Sequence, residues 1–419
     1  MKRVVLFLAA FAALVSCTCP VGNDIVARQG YWNCPDVAYG KNTLSALIAA
    51  QKAGFYGSEF DVRLTRDSVV MLSESPVVNS LVIADTPWES IRFSGPIENG
   101  ENPVTLERFL ELGGCKDGCV LYCHLQPLGS PELDDLLAAQ ARRVFERCGL
   151  SSKARLIRDH SQVDGVLSED PMALLLGGKD RRWMRDICSP LHCGRKAGTA
   201  GCAMVKDYIG RELRAMGYET EEQNWRFLDS LDFTNICVAV PGKNDSVVVC
   251  GAHYDGAVSS IYHQGADDNC SGIVAVLKLA EKLRGCEPEY TTVLAFWTAE
   301  EFTAVDSKNG SRHFVQTWPS IDKVRLYVNF DCFARRGQGI MLYYTPGRTD
   351  LVEGMEGVIL SDELKFNSDY VPFFDAGIPI LSWNDENTSG YVHTTDDSIE
   401  EVEFQKIDTV VSKTLEMLR

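Results

Sequence analysis

The chain has no surplus of positive charge. Its 41 lysines and arginines stand against 58 aspartates and glutamates, giving a formal net charge of −17. That balance argues against a basic surface for nucleic acid or an anionic membrane. It favours cationic ligands instead, such as metal ions and peptides with a free amine. No Cys-x-x-Cys pair is present to build a zinc knuckle, although there are 15 cysteines. Long-period repeats and low-complexity segments are also missing. The apolar run Val4–Leu14 is too short to span a bilayer as a helix. What is there, 45% hydrophobic and 24% charged residues over 419 positions, is a globular composition with room for two domains.

The start of the chain is built for export. Lys2 and Arg3 precede the apolar run, and Leu14-Val15-Ser16-Cys17 closes it. These last residues resemble the lipobox of bacterial lipoproteins. The resemblance implies a signal peptide over 1–16, a lipid anchor at Cys17, and a place at the cell envelope, in the periplasm or outer membrane. An ordinary secretory signal is the alternative. An oxidising compartment makes disulfides expected, for example Cys115 with Cys119 or Cys188 with Cys202. Cys237, Cys250 and Cys332 lie inside apolar runs and read as small buried residues.

Residues 23–168 alternate short apolar runs with helical ones. Strands are expected at 24–27, 57–62, 69–72, 120–124 and 155–158, and helices at 43–53, 105–112 and 132–148. Repeated βα units suggest part of a barrel or an open α/β layer. Ala27-Arg28-Gln29-Gly30, Asn42-Thr43-Leu44-Ser45-Ala46 and Glu59-Phe60-Asp61-Val62-Arg63-Leu64-Thr65-Arg66-Asp67 resemble motifs of the glycerophosphodiester phosphodiesterase barrel. The family's two catalytic histidines fall on Arg28 and Ser73, neither of which shuttles a proton near neutral pH. Its third metal carboxylate falls on or near His124. The segment is also too short for eight βα units. The expectation is a truncated, partial TIM-barrel-like domain without phosphodiesterase activity, serving as a binding or packing module. Pro171, Gly177, Gly178 and the charge cluster 179–182 mark a boundary within 167–182, with a second domain over 179–419.

The second half is organised around 251–272. The apolar run 247–250 reads as a buried parallel strand, and 273–283 as a helix. His253, Asp255 and Asp268 then lie at the carboxyl edge of an open sheet. Two further strands, 291–297 and 323–330, end at Glu300-Glu301 and Asp331, and His393 sits in a late loop. Zinc accepts imidazole nitrogen and carboxylate oxygen. Asp268, Glu301 and Asp331, with one bridging hydroxide, balance the four charges of two zinc ions, leaving His253 and His393 as neutral ligands. Glu300 remains where a general base belongs.

His-x-Asp, Gly-x-Asp-Asp-x-x-Ser-Gly, Glu-Glu, strand-Asp and His-Thr together resemble the co-catalytic di-zinc aminopeptidases, related to glutamate carboxypeptidase and glutaminyl cyclase. The likeness begins near Arg182 and takes in Gly194–Gly201. It implies an α/β domain with a mixed, mostly parallel sheet flanked by helices. It also implies Asp268 as the bridging ligand, Glu301 and His393 on one zinc, and His253 and Asp331 on the other. Glu300 is then the base, Asp255 orients His253, and the Asp268–Asn269 peptide is cis. Tyr370 stands where the family's late loop has histidine, and 302–309 is an insertion.

The resulting expectation is an aminopeptidase acting on peptides with a free N-terminus. A one-zinc glutaminyl cyclase and a carboxypeptidase stay open as enzymatic alternatives. A non-enzymatic lipoprotein binding module is the alternative of another class.

Overall fold

The computed structural model describes residues 24–34, 37–114, 119–227, 231–302, 308–365 and 367–418. The expected signal segment 1–16, Cys17, Cys115 and residues 303–307 of the expected insertion lie outside these residues. The chain divides into two compact units between Gly177 and Gly178. Gly177, at φ +83°, stops the short helix Pro171–Leu176 and explains why the chain can turn there.

The first unit contains β1 (Ile25–Ala27), α1 (Leu44–Ala53), β2 (Gly57–Leu64), β3 (Val70–Leu72), α2 (Leu106–Gly113), β4 (Val120–Leu125), α3 (Pro131–Arg147), β5 (Ala154–Ile157) and β6 (Val166–Ser168). The helix starts are set locally. Thr43, Thr105 and Ser130 each accept a hydrogen bond from a backbone N–H of the first turn. The strands run parallel in the order β5-β4-β2-β1-β6, and β3 pairs antiparallel with β2. Alternation along β2 sends Phe60 into the core against Phe109, with ring centroids 4.9 Å apart. Glu59 and Asp61 point to the other face.

The second unit contains α4 (Ala200–Ala215), β7 (Glu221–Phe227), β8 (Leu231–Val240), β9 (Asn244–His253), α5 (Gly272–Leu283), β10 (Tyr290–Trp297), α6 (Asn309–Thr317), β11 (Val324–Phe330), β12 (Ile340–Tyr344), β13 (Ile359–Ser361), α7 (Tyr370–Asp375), β14 (Ile380–Asp385) and α8 (Phe404–Leu418). Its eight-stranded sheet has the order β13-β12-β14-β11-β9-β10-β8-β7. The centre, β14-β11-β9-β10, is parallel, and β8 and β12 pair antiparallel at its two sides.

Burial on both faces explains the unbroken apolar run at Val247–Cys250. Val247, Val249, Val293, Ala295 and Trp297 pack in one cluster with Phe314 of α6 and Phe373 of α7. The alternate residues Val248, Cys250, Leu294 and Phe296 are equally buried. Their side is covered by α5, which packs against β9, β10 and β11 and against α4 and α8.

Cys237, Cys250 and Cys332 are buried free thiols, as expected from their apolar runs. The expected bridge between Cys188 and Cys202 does not form; both are free. Cys202 lies in the first turn of α4 with its Sγ near Thr298, while the Cys188 thiol faces Cys270. Tyr370, which stands where the resembled family's late loop has histidine, is buried in the core beside Trp297 and Phe373. Among the described residues no helix is long and apolar enough to cross a membrane.

Candidate metal centre

Four loops deliver the site, each following a central element. β9 ends at His253, with Asp255 two residues on. β10 is followed by Glu300 and Glu301, β11 runs straight into Asp331, and the loop after β14 carries His393. Asp268 comes from the turn Ala266–Ser271 that leads into α5. All emerge at the carboxyl edge of the parallel strands, the usual place for a site in such a sheet.

Asp268 stands at the middle of the group. Its Oδ1 lies 3.5 Å from His253 Nε2, and its Oδ2 lies 3.1 Å from His393 Nε2. His253 Nε2 also lies 3.5 Å from Asp331 Oδ1, and His393 Nε2 lies 2.7 Å from Glu301 Oε1. Two triads therefore share one carboxylate: His253, Asp268 and Asp331, and Asp268, Glu301 and His393. Glu300 is buried beside them, grouped with His253 and Glu301. His393 is the exposed member, with its side chain 48% accessible, so the site opens to solvent on that side.

The surrounding residues fix these positions. Asp397, itself buried, accepts hydrogen bonds from the N–H groups of Asp267 (2.6 Å) and Asp268 (3.0 Å). Arg195, 1% exposed, donates to the carbonyls of Gln264, Gly265 and Asp268. Asn269 ties the same turn to β11 by donating to the Phe330 carbonyl at 2.8 Å. The Asp268–Asn269 peptide is cis, as the resemblance implies. Ala299 beside Glu300, Cys332 beside Asp331, and His393 itself have positive φ, a conformation that costs a residue with a Cβ and recurs at functional sites.

Asp255 acts differently from the simple expectation. Its backbone carbonyl lies nearer His253 Nδ1 (3.2 Å) than its carboxylate does (3.7 Å). The carboxylate instead accepts from the N–H groups of Glu300 and Glu301, both at 3.1 Å. It holds the two-glutamate turn in place while standing behind the imidazole.

Electrostatically the group is short of positive charge. Burial raises the Glu300 carboxyl well above its usual range, reinforced by Asp369, Glu301 and Asp331 and opposed by His253. Burial and Asp268 push Glu301 up to about 7. Asp369 is also pushed up to about 7, mainly by burial. Burial alone would raise Asp268, but hydrogen bonds from His253 and His393 hold it below the usual carboxylate range. Hydrogen bonds to Asp268 and Glu301 lift His393 to about 10. Buried carboxylates in such number, partnered by two imidazoles, are the environment that a pair of divalent cations stabilises. The donor set of two imidazoles and three carboxylates fits zinc by type.

Every residue named from the sequence for this site is therefore brought to one sheet edge. The supporting carboxylate Asp397, the tether Arg195 and the buried acid Asp369 were not assigned roles. Arg195 lay within the Gly194–Gly201 motif, where its flanking glycines carried a signal. A Cβ on Gly194 would stand 2.0 Å from the Val258 carbonyl, and one on Gly201 1.8 Å from that of His192. Asp397 offered no spacing signal, being one acid among several in its loop, while Asp369 stands beside Tyr370 in the stretch that resembles the family's late loop.

Residues 235–418 match the model of Peptidase family M28. The chain is 29% identical over 196 residues to leupeptin-inactivating enzyme 1 of Streptomyces exfoliatus, covering 44% of this chain and 43% of that one. It is 31% identical over 144 residues to a probable lipoprotein aminopeptidase of Mycobacterium tuberculosis, covering 33% and 27%. The chain thus spans less than half the length of these curated relatives. Among solved structures, a zinc aminopeptidase from Bacillus subtilis is similar over 56% of this chain and 92% of its own, with TM-score 0.50 and 14% identity. A glutaminyl cyclase from an Acidobacteriales bacterium is similar over 57% and 92%, with TM-score 0.50 and 23% identity. These two likenesses speak to the fold.

Proposed function

We propose that the second unit is a zinc-dependent aminopeptidase. The observation that carries this reading is the sharing of Asp268 between two triads, each completed by one imidazole and one further carboxylate. The M28 match over 235–418 and the aminopeptidase names among the relatives support it. His253 and Asp331 would hold one ion, Glu301 and His393 the other, with Asp268 bridging. Two bound zinc ions supply Lewis acidity, polarising a carbonyl and making water acidic enough to ionise near neutrality.

The chain's own residues do the rest. Glu300 takes a proton from the attacking water as its oxygen bonds to the peptide carbonyl carbon. The C–N bond then breaks, and Glu300 returns the proton to the leaving amine. Asp255 keeps Glu300 aimed by holding its backbone N–H. The surplus of buried carboxylates around His253, Asp369 among them, favours a substrate that brings positive charge, as a free amino terminus does.

The test is turnover of a leucyl-anilide, its N-acetylated form and a glutaminyl peptide. The reading expects hydrolysis of the first, no reaction of the second and no cyclisation of the third. Glu300→Ala should lower kcat by about 10² to 10⁴ with zinc content unchanged. Near wild-type turnover in that variant would remove Glu300 from the role of base. Cyclisation of the glutaminyl peptide without anilide hydrolysis would favour the cyclase alternative.

The remaining assignments belong to the same reading. Residues 1–16 act as a lipoprotein signal and Cys17 as an anchor at the cell envelope, which the lipoprotein name of one relative supports. Residues 23–168 form a truncated relative of the phosphodiesterase barrel. The parallel order of its strands, with β1 paired on both sides, supports that descent.

A further inference from the structure

The loop between β14 and α8 carries His393, the most exposed of the proposed ligands, with its side chain 48% accessible. An imidazole on a surface loop is a poor ligand unless the loop is held, because ordering it costs conformational entropy. Two residues before it stands Tyr391, which is only 6% exposed. What its buried hydroxyl touches accounts for how the loop is held.

The hydroxyl reaches two buried carboxylates, Asp267 Oδ2 at 2.7 Å and Asp385 Oδ2 at 3.0 Å. Asp267 precedes the proposed bridging ligand in the turn into α5, and Asp385 ends β14. The same two acids hold the segment that follows Asp331. Asp267 Oδ1 accepts from the Ala334 N–H at 2.7 Å, and Asp385 Oδ2 accepts from the Arg335 N–H at 3.0 Å. Lys406 of α8, 7% exposed, completes the group by donating to Asp385 Oδ1 at 3.0 Å and to the Arg335 carbonyl. Through these acids one phenol oxygen joins the segments that bear Asp268, Asp331 and His393.

The ring is clamped from outside as well. The Arg335 guanidinium lies 4.4 Å from the Tyr391 ring centroid and donates to the Asp396 carbonyl at 2.5 Å. The Tyr391 carbonyl accepts from the N–H (3.1 Å) and the hydroxyl (2.6 Å) of Thr394. These bonds close a turn that has His393 inside it at φ +62°, a conformation that persists only where the surroundings impose it. A phenylalanine at 391 would fill nearly the same volume. It would leave Asp267 Oδ2 and Asp385 Oδ2 without their shared donor, and the loop without its tie to the turn.

We propose that Tyr391 is a positioning residue of the two-ion centre: its hydroxyl, held between Asp267 and Asp385, sets the place of His393 relative to Asp268. The inference rests on the two-ion reading above. It gives the ion on Glu301 and His393 a support that the ion on His253 and Asp331 does not share. His253 is the last residue of β9 and Asp331 follows β11 directly, so the sheet itself positions both. Loss of the hydroxyl leaves the bonds from Ala334 and Arg335 to the two acids in place, so its effect falls on the His393 side.

The test is zinc affinity by chelator competition on the full chain, for wild type, Tyr391→Phe, His393→Ala and the double variant. Tyr391→Phe should bind one zinc about 10- to 100-fold more weakly. Its turnover of a leucyl-anilide should fall at limiting zinc and return at saturating zinc. In the His393→Ala background the same change should cost no further affinity, because it acts through that imidazole. Wild-type affinity in Tyr391→Phe, or an equal loss with and without His393, would overturn the inference. Should Tyr391→Phe fail to fold, Arg335→Gln, which releases the outer clamp, should weaken the same zinc, and unchanged affinity there would overturn it too. Wild type binding zinc no more tightly than His393→Ala would sink the two-ion reading and this inference with it. Zinc bound as expected but no hydrolysis would remove the peptidase reading alone, with the affinities still deciding the role of Tyr391.

Discussion

Asp268 is fixed from three directions: its N–H by Asp397, its carbonyl by Arg195, and its carboxylate by two imidazoles. A bridging ligand needs this, because it must face two ions at once. Asp397 is the support whose removal is most informative, since it touches no proposed ligand atom and acts through the backbone of the turn. Asp397→Asn should keep one of the two hydrogen bonds and weaken zinc binding by about 10- to 100-fold, measured by chelator competition. Unchanged affinity would mean that the turn is held without it. Of the proposed ligands, His253, Glu301 and Asp331 were legible from sequence because each ends or closely follows an apolar strand, whereas Asp268 and His393 were placed by the motif resemblance. Their supports were not, because a buried Asp and a solvated Asp in a loop look alike until the fold closes over them.

At the scale of elements, the turn between β9 and α5 is where chain geometry and chemistry meet. Gly272 opens α5 with its Cα against β11. A Cβ there would stand 2.5 Å from the Phe330 carbonyl and 2.4 Å from Asn269 Oδ1. Asn269 is the residue that ties the turn to β11 and caps α5 through the Gly272 N–H. Gly272→Ala should therefore cost about 1–3 kcal/mol of stability and lower zinc content. Urea unfolding and elemental analysis of the same sample check both parts, and a variant as stable as wild type would show that the helix can move without loss. The parallel strands and α5 were readable from period and apolar runs. β7 was not: Glu221-Glu222-Gln223-Asn224 is polar on both faces, as an edge strand can be, and only pairing with β8 makes it a strand. Tyr391 was equally hidden, since it meets Asp267 across 124 residues of sequence.

For the whole molecule, two units share one device: carboxylates and imidazoles gathered at the carboxyl edge of a parallel sheet, which positions side chains from distant segments without long loops. The second unit brings together every residue proposed for the two-ion site. In the first, Arg28 and Ser73 stand where the resembled family has its catalytic histidines. The central claim is that five side chains of the second unit hold two ions bridged by Asp268. Anomalous diffraction at the zinc edge, on crystals of the full chain grown with zinc, tests it most directly. The account predicts two peaks flanking Asp268, about 3.5–4 Å apart, one beside His253 and Asp331 and the other beside Glu301 and His393. A single peak on Asp268, Glu301 and His393, with His253 and Asp331 bound to nothing, would contradict it.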